Sequence, residues 1–272
     1  MPLLWDPALQ ALLPSASKSL FQNQKRKLSA DWAAVRAAFP NLSYDVYVYN
    51  WCIVNTRTFY FTSPKTKLKS PVNRDDCIAL NPFADYFNHM DLKTASASFS
   101  PSGYVITASQ PIKQGDEIYI SYGNHSNDFL LAEYGFVMER NKWDEILLDE
   151  FVLPLFTEQQ KGKLEEAGFL GKWVLDGEGV CYRTQIAVRL LCMSTNQWQR
   201  MVGLGLEDGD KYQGAVDQTL LKVLKQFAES AEEKIESVKA LDCGLVSQRE
   251  TLSRRWDQIC LLLSTAMKRV EG

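Results

Sequence analysis

Asn81-Pro-Phe-Ala-Asp-Tyr-Phe-Asn-His89, Gly115-Asp-Glu-Ile-Tyr-Ile-Ser-Tyr-Gly123 and Leu130-Leu-Ala-Glu-Tyr-Gly-Phe-Val137 follow one another in a single stretch of this chain. Between them run short apolar segments separated by Gly, Pro, Asn and Asp, the punctuation of small strands joined by tight turns. Tyr104-Val-Ile-Thr-Ala108 and Glu117-Ile-Tyr-Ile-Ser121 read as strands, with Pro111 and Gly115-Asp116 at turns. Asn127 opens a helix with acidic Asp128 in its first turn, where a negative charge meets the positive end of the helix dipole. Gly135 closes it, as a residue free to turn left-handed.

Outward from this stretch the pattern changes on both sides. Residues 15–39 carry Phe21, Leu28, Trp32, Val35 and Phe39 at helical spacing and stop at Pro40. Residues 41–62 are dense in aromatic and β-branched side chains, a run that fits a buried strand or a buried helix equally. Residues 64–74, rich in Lys, Ser and Pro, read as an exposed loop. Beyond Leu153-Pro154 the chain is helical in style. Leu220, Leu224, Phe227, Ala231, Ile235 and Val238 form one apolar stripe, and Leu252, Trp256, Ile259, Leu263, Ala266 and Val270 form another. Asp242-Cys243-Gly244 separates them, so the two read as an antiparallel helical hairpin. No repeat of fixed period and no low-complexity segment interrupts the chain.

Composition bounds the possibilities. The chain has 272 residues, 46% hydrophobic and 23% charged, with a net charge of −3. That is enough length for a sizeable core in one large or two ordinary domains. The slightly acidic balance argues against general binding to nucleic acid or to an acidic membrane surface. Lys25-Arg26-Lys27 and the lysines at 65–69 are short runs that read as solvated surface. The six cysteines, at 52, 77, 181, 192, 243 and 260, lie far apart and only two histidines accompany them, so neither a zinc site nor a disulfide framework is expected. Reduced thiols, a start without a signal-peptide pattern and no apolar window of membrane-spanning length point to a cytoplasmic or nuclear protein.

Four motifs in order resemble a known family. Asn55-Thr-Arg-Thr-Phe59, Ala84-Asp-Tyr-Phe-Asn-His89, Ile120-Ser-Tyr-Gly123 and Glu133-Tyr-Gly-Phe136 are similar to the SET-domain protein-lysine methyltransferases, in the branch typified by the Rubisco large-subunit enzyme. The resemblance implies an α+β fold: the C-terminal half of a SET domain, with small sheets and a threaded crossing, a helical insert, and an all-helical substrate-binding domain. On that reading residues 1–50 are the end of the insert, 51–150 the SET C-terminal half and 151–272 the helical domain. It also implies transfer of a methyl group from S-adenosyl-L-methionine to a lysine of a protein substrate, a ribosomal or nuclear protein in view of the branch's other members. No metal, nucleic acid or membrane partner is implied.

The residue types suit that chemistry. Methyl transfer from a sulfonium needs in-line alignment and a neutral amine, and an aromatic channel favours the neutral amine by removing water. The resemblance gives Tyr122 and Tyr134 the catalytic roles, with Tyr122 orienting the amine and helping its deprotonation and Tyr134 lining the lysine channel. Arg57, Asp85, Asn88, His89 and Phe136 take the cofactor, and Phe59 is a packing or channel residue. Taken one at a time, these residues have plainer readings: His89 as a core histidine, the tyrosines as core aromatics, Arg57 as a surface ion pair. His125 reads as a loop residue, and Asp116-Glu117 as turn or solvent-face charges. The glycines begin at Gly103, so no Gly-x-Gly segment precedes Arg57. The expectation is therefore a SET domain without its first strands and with weakened cofactor affinity, the alternative being a catalytically impaired remnant that serves as a protein-binding module.

Overall fold

The structure, a computed structural model, describes residues 1–61, 77–91, 94–100, 103–205 and 210–272. The expected loop at 64–74 lies outside the described residues. In chain order the elements are α1 (Pro7–Ala11), α2 (Ser15–Ala38), α3 (Tyr44–Arg57), β1 (Thr58–Tyr60), β2 (Ile78–Leu80), β3 (Asn88–His89), β4 (Ala95–Ser100), β5 (Gly103–Ala108), β6 (Tyr119–Ile120), α4 (Asn127–Tyr134), β7 (Glu145–Leu147), α5 (Asp149–Val152), α6 (Glu158–Glu166), β8 (Val174–Asp176), β9 (Gly179–Val180), α7 (Tyr182–Cys192), α8 (Thr195–Leu204), α9 (Asp210–Lys239) and α10 (Val246–Glu271). They fall into two compact units, Phe21–His125 on one hand and Met1–Leu20 with Ser126–Gly272 on the other. The result is the expected α+β mixture of helices and small sheets.

In the unit Phe21–His125, the ambiguous run at 41–62 resolves as helix first and strand last. The Ser43 hydroxyl accepts from the Val46 N–H and starts α3, which buries Tyr47, Val48, Trp51 and Cys52. Asp31 on α2 accepts the Trp51 indole N–H at 3.0 Å. Among the described residues the strands form three two-stranded sheets. β1 and β2 are antiparallel, as are β4 and β5, where Ala95 faces Ala108 and Phe99 faces Tyr104. β3 and β6 are parallel, with Asn88 opposite Tyr119 and His89 opposite Ile120. That short parallel pair joins residues about 30 apart and places the two central motifs side by side.

The other unit is mostly helical, and it also carries a three-stranded antiparallel sheet, β7-β8-β9, whose last two strands lie in the region read from sequence as all-helical. Its strands are two or three residues long, too short for a period-two pattern to show. Asp149 holds the sheet's edge, its carboxylate accepting the backbone N–H groups of Lys172 and Trp173, both at 2.8 Å. The core is formed by α9 and α10 as the antiparallel hairpin their stripes predict. Leu220, Leu224, Ala231 and Val238 on α9 and Leu252, Ile259 and Leu263 on α10 are buried. Each Leu or Ile so buried contributes about 1.5–3 kcal/mol. Trp256 donates its indole N–H to the Leu12 carbonyl at 2.9 Å, fixing the first residues of the chain to α10.

α4 is built as its sequence predicts. The Ser126 hydroxyl accepts from the Phe129 N–H at the start, and Gly135 ends the helix at φ 86°. What the sequence did not disclose is the anchor beneath its first turn. Arg255 of α10, fully buried, reaches both carboxylate oxygens of Asp128 and one of Asp144. Ser17 donates to Asp128 at 2.6 Å, and Asp144 accepts the Asn127 backbone N–H at 2.9 Å. Every member of this network is satisfied by a partner of opposite character, which a dry polar cluster requires.

Candidate functional site

His89 and Tyr122 organise the site in the unit Phe21–His125. The short parallel ladder sets them: His89 lies on β3, and Tyr122 follows β6 by two residues. His89 is buried, and its Nδ1 accepts the backbone N–H of Tyr122 at 3.0 Å. A nitrogen that accepts cannot carry a proton, so neutral His89 is the Nε2–H tautomer. The two rings sit 5.1 Å apart, tilted by 32°. Burial lowers the His89 pKa, Asp91 opposes that shift, and nearby His125 adds to it.

The Tyr122 hydroxyl donates to the Phe87 carbonyl at 2.8 Å. With its proton so committed, the oxygen presents lone pairs to whatever else approaches. Burial raises the phenol's pKa, Arg57 pulls it back and Asp85 pushes it up again. Tyr122 is therefore a neutral phenol at physiological pH. Arg57 is exposed and donates from Nη1 to the backbone carbonyl of Asp85 at 2.7 Å. Thus Arg57, Asp85, His89 and Tyr122 gather in one place, with Phe87 as a partner that sequence reasoning missed. A backbone carbonyl leaves no mark in side-chain identity.

Asn88 points away from His89, as alternation along a strand demands. It is exposed, and its Nδ2 donates to Glu117 at 2.6 Å. Glu117 also accepts from the Tyr119 hydroxyl at 2.8 Å. The pair read together as turn or surface charges divides: Asp116 accepts the Lys113 N–H at the turn, whereas Glu117 belongs to Asn88. His125, given no role from sequence, touches the site as well. Its Nε2 lies 3.2 Å from the Tyr122 carbonyl oxygen. Gly123 has φ 138°, a backbone angle that favours glycine, and a β-carbon there would meet His125 Nε2 at 2.5 Å unless that ring moved aside.

Tyr134 and Phe136 belong to the other unit. Their rings are 6.2 Å apart, and Phe129 lies 6.5 Å from Tyr134. Gly135 between them turns the chain left-handed, so both aromatics flank the C-terminal end of α4. Phe59 on β1 packs its ring 5.3 Å from Tyr104.

Two family descriptions match this chain in succession: the SET domain over residues 12–123, and the C-terminal domain of ribosomal lysine N-methyltransferase 2 over residues 144–269. Residues 12–123 are thus similar to the SET-domain family. Ribosomal lysine N-methyltransferase set11 of Schizosaccharomyces pombe is 28% identical over 250 residues, covering 88% of this chain and 63% of that protein. SET domain-containing protein 4 of Mus musculus is 28% identical over 277 residues, covering 93% of this chain and 62% of that protein. The chain thus spans less than two thirds of the length of these curated relatives. Among solved structures, Rubisco LSMT bound to AdoMet aligns with 99% of this chain and 68% of its own, with TM-score 0.54 and 16% identity. The LSMT SET domain bound to lysine and AdoHcy aligns with TM-score 0.55, again over 99% of this chain and 67% of its own, at 16% identity. These likenesses establish the fold. No helix among the described residues is long and apolar enough to cross a membrane.

Proposed function

We propose that this chain is the core of a protein-lysine N-methyltransferase that uses S-adenosyl-L-methionine. The observation that carries the reading is the neutral, half-buried Tyr122 phenol, its proton given to the Phe87 carbonyl and its ring held beside His89. A phenol oxygen so fixed accepts from an amine N–H or from a polarised methyl C–H, the weak contacts that align a methyl with its acceptor. When bound, S-adenosyl-L-methionine would supply a sulfonium methyl; the lone pair of a lysine amine would attack that carbon in line as its bond to sulfur breaks, leaving a thioether and, after loss of one proton, methyl-lysine.

The donor set fits such a cofactor. Asn88 offers an amide at the surface, held by Glu117 and suited to the amino-acid end of the cofactor. Arg57, anchored on Asp85, offers a guanidinium, and His89 a fixed backbone position on β3. Because its raised pKa keeps Tyr122 protonated, its role is orientation and exclusion of water rather than removal of the amine's proton. Tyr134 and Phe136 are assigned to the lysine channel and the cofactor by their match to the family pattern.

The sequence-based division into an insert at 1–50, a SET half at 51–150 and a substrate domain at 151–272 belongs to this proposal. So does the substrate: a lysine on a ribosomal or nuclear protein, supported by the names of the relatives, in a cytoplasmic or nuclear setting without a nucleic-acid or membrane partner. Incubation of the purified chain with tritiated S-adenosyl-L-methionine and ribosomal or nuclear extracts tests it. Label on lysine of a discrete protein supports the reading, and no label above a boiled control in either extract sinks it.

A further inference from the structure

On the parallel pair β3–β6, His89 and Ile120 are buried on one face, and Asn88 and Tyr119 lie on the other. Glu117, two residues before Tyr119, shares that second face. One of its carboxylate oxygens accepts Asn88 Nδ2 and the other accepts the Tyr119 hydroxyl. A carboxylate has only acceptors, so this contact decides the orientation of the Asn88 amide: nitrogen toward Glu117, oxygen away from it. The two donors hold the Glu117 carboxyl below the usual carboxylate range, which keeps it ionised at neutral pH. Asn88 therefore offers an acceptor oxygen beside a fixed negative charge. That combination attracts an ammonium and repels a carboxylate.

We propose that Glu117 is a positioning residue that fixes the Asn88 amide so that the site reads the α-ammonium of the methyl donor rather than its α-carboxylate. The proposal rests on the methyltransferase reading of the same site and adds to it the polarity with which the amino-acid end lies. Glu117 acts through Asn88. Glu117→Gln can present its own NH2 group to Asn88 and let the amide turn over, so the acceptor is no longer guaranteed.

Calorimetric titration of the full chain with three adenosyl ligands tests this: S-adenosyl-L-methionine, its decarboxylated analogue, which keeps the ammonium alone, and methylthioadenosine, which has neither group. Glu117→Gln should weaken the first two about tenfold each, the loss of one charge-assisted hydrogen bond, and leave methylthioadenosine within about twofold. Glu117 is exposed, so the thermal midpoint of the variant should match that of the unaltered chain. Equal binding of all three ligands by the variant and the unaltered chain overturns the proposal. Equal weakening of methylthioadenosine overturns it too, since the effect would then be on the fold. An unaltered chain that binds S-adenosyl-L-methionine but not its decarboxylated analogue shows the carboxylate being read instead. If the unaltered chain binds none of the three, the methyltransferase reading itself falls, and this inference with it.

Discussion

Arg255 and Asp128, 127 residues apart in the chain, meet as a buried fork: Nε to Oδ1 at 3.1 Å and Nη2 to Oδ2 at 2.9 Å. The third guanidinium nitrogen, Nη1, reaches Asp144 at 2.7 Å. Burial acts to lower the Arg255 pKa, but the two carboxylates outweigh it and hold the group firmly cationic. One cation thus bridges two carboxylates at the start of α4. Arg255→Met leaves both without a counter-charge in a dry site, and the expected loss is about 3–5 kcal/mol. Urea unfolding measures it. The double variant Arg255→Met with Asp128→Asn should recover part of that loss, because it removes one of the stranded charges.

Tyr122→Phe removes only the hydroxyl that bonds Phe87. The ring packing on His89 is kept, so the fold and donor binding should change little. Methyl transfer should fall on the order of a hundredfold, the usual cost of removing one preorganised polar group. Single-turnover rates with labelled donor give the number. A chain acting only as a binding module would show the same partner affinity in both forms and no turnover in either.

His89 gives stability a pH dependence whose sign follows from its hydrogen bond. Its pKa is lowered in the folded chain, so its contribution is complete above the unfolded value of about 6.5 and is lost as pH falls through the folded pKa. Protonated Nδ1 would face the Tyr122 N–H donor to donor. Thermal midpoints should therefore fall as pH drops below about 6.5. His89→Gln should flatten that part of the profile relative to the unaltered chain.

Gly123→Ala should destabilise by about 1–3 kcal/mol from backbone strain, with an added term from His125. Thermal unfolding reads the total. Replacing His125 with Ala in the same chain should return the steric share and leave the conformational share in place. If the two variants prove strictly additive, the contact between Gly123 and His125 carries no energy.

Legibility differed by element for physical reasons. The long helices α2, α9 and α10 were readable because amphipathic periodicity accumulates over many turns. Within α2, however, the buried stripe includes polar Ser17 and Gln24, and Phe39 at its end is 63% exposed. α4 was readable to the residue, since Ser126 and Gly135 are capping types. The run at 41–62 could not be decided, because α3 buries Tyr47, Val48, Trp51 and Cys52, residues equally at home in strands. The two-residue strands of the β3–β6 pair carry no period at all. Of the site, the motifs disclosed His89 and Tyr122 and their neighbours Arg57 and Asp85, but not Phe87, Glu117 or His125. Those three act through a carbonyl, an acidic turn neighbour and a loop ring, all of which look ordinary in sequence. Arg255 was hidden for the opposite reason: a basic residue within a helix reads as surface.

Trp256 clasping the Leu12 carbonyl bears on how the polypeptide is made. The first twenty residues belong to the same compact unit as everything after Ser126, so they emerge from the ribosome long before their partners. That unit can be completed only once α10 has also been made, so its closure depends on pairings distant in sequence. Until then the leading segment has its apolar side chains Leu9 and Leu13 uncovered, and in a crowded cell it is there that a chaperone would find its grip.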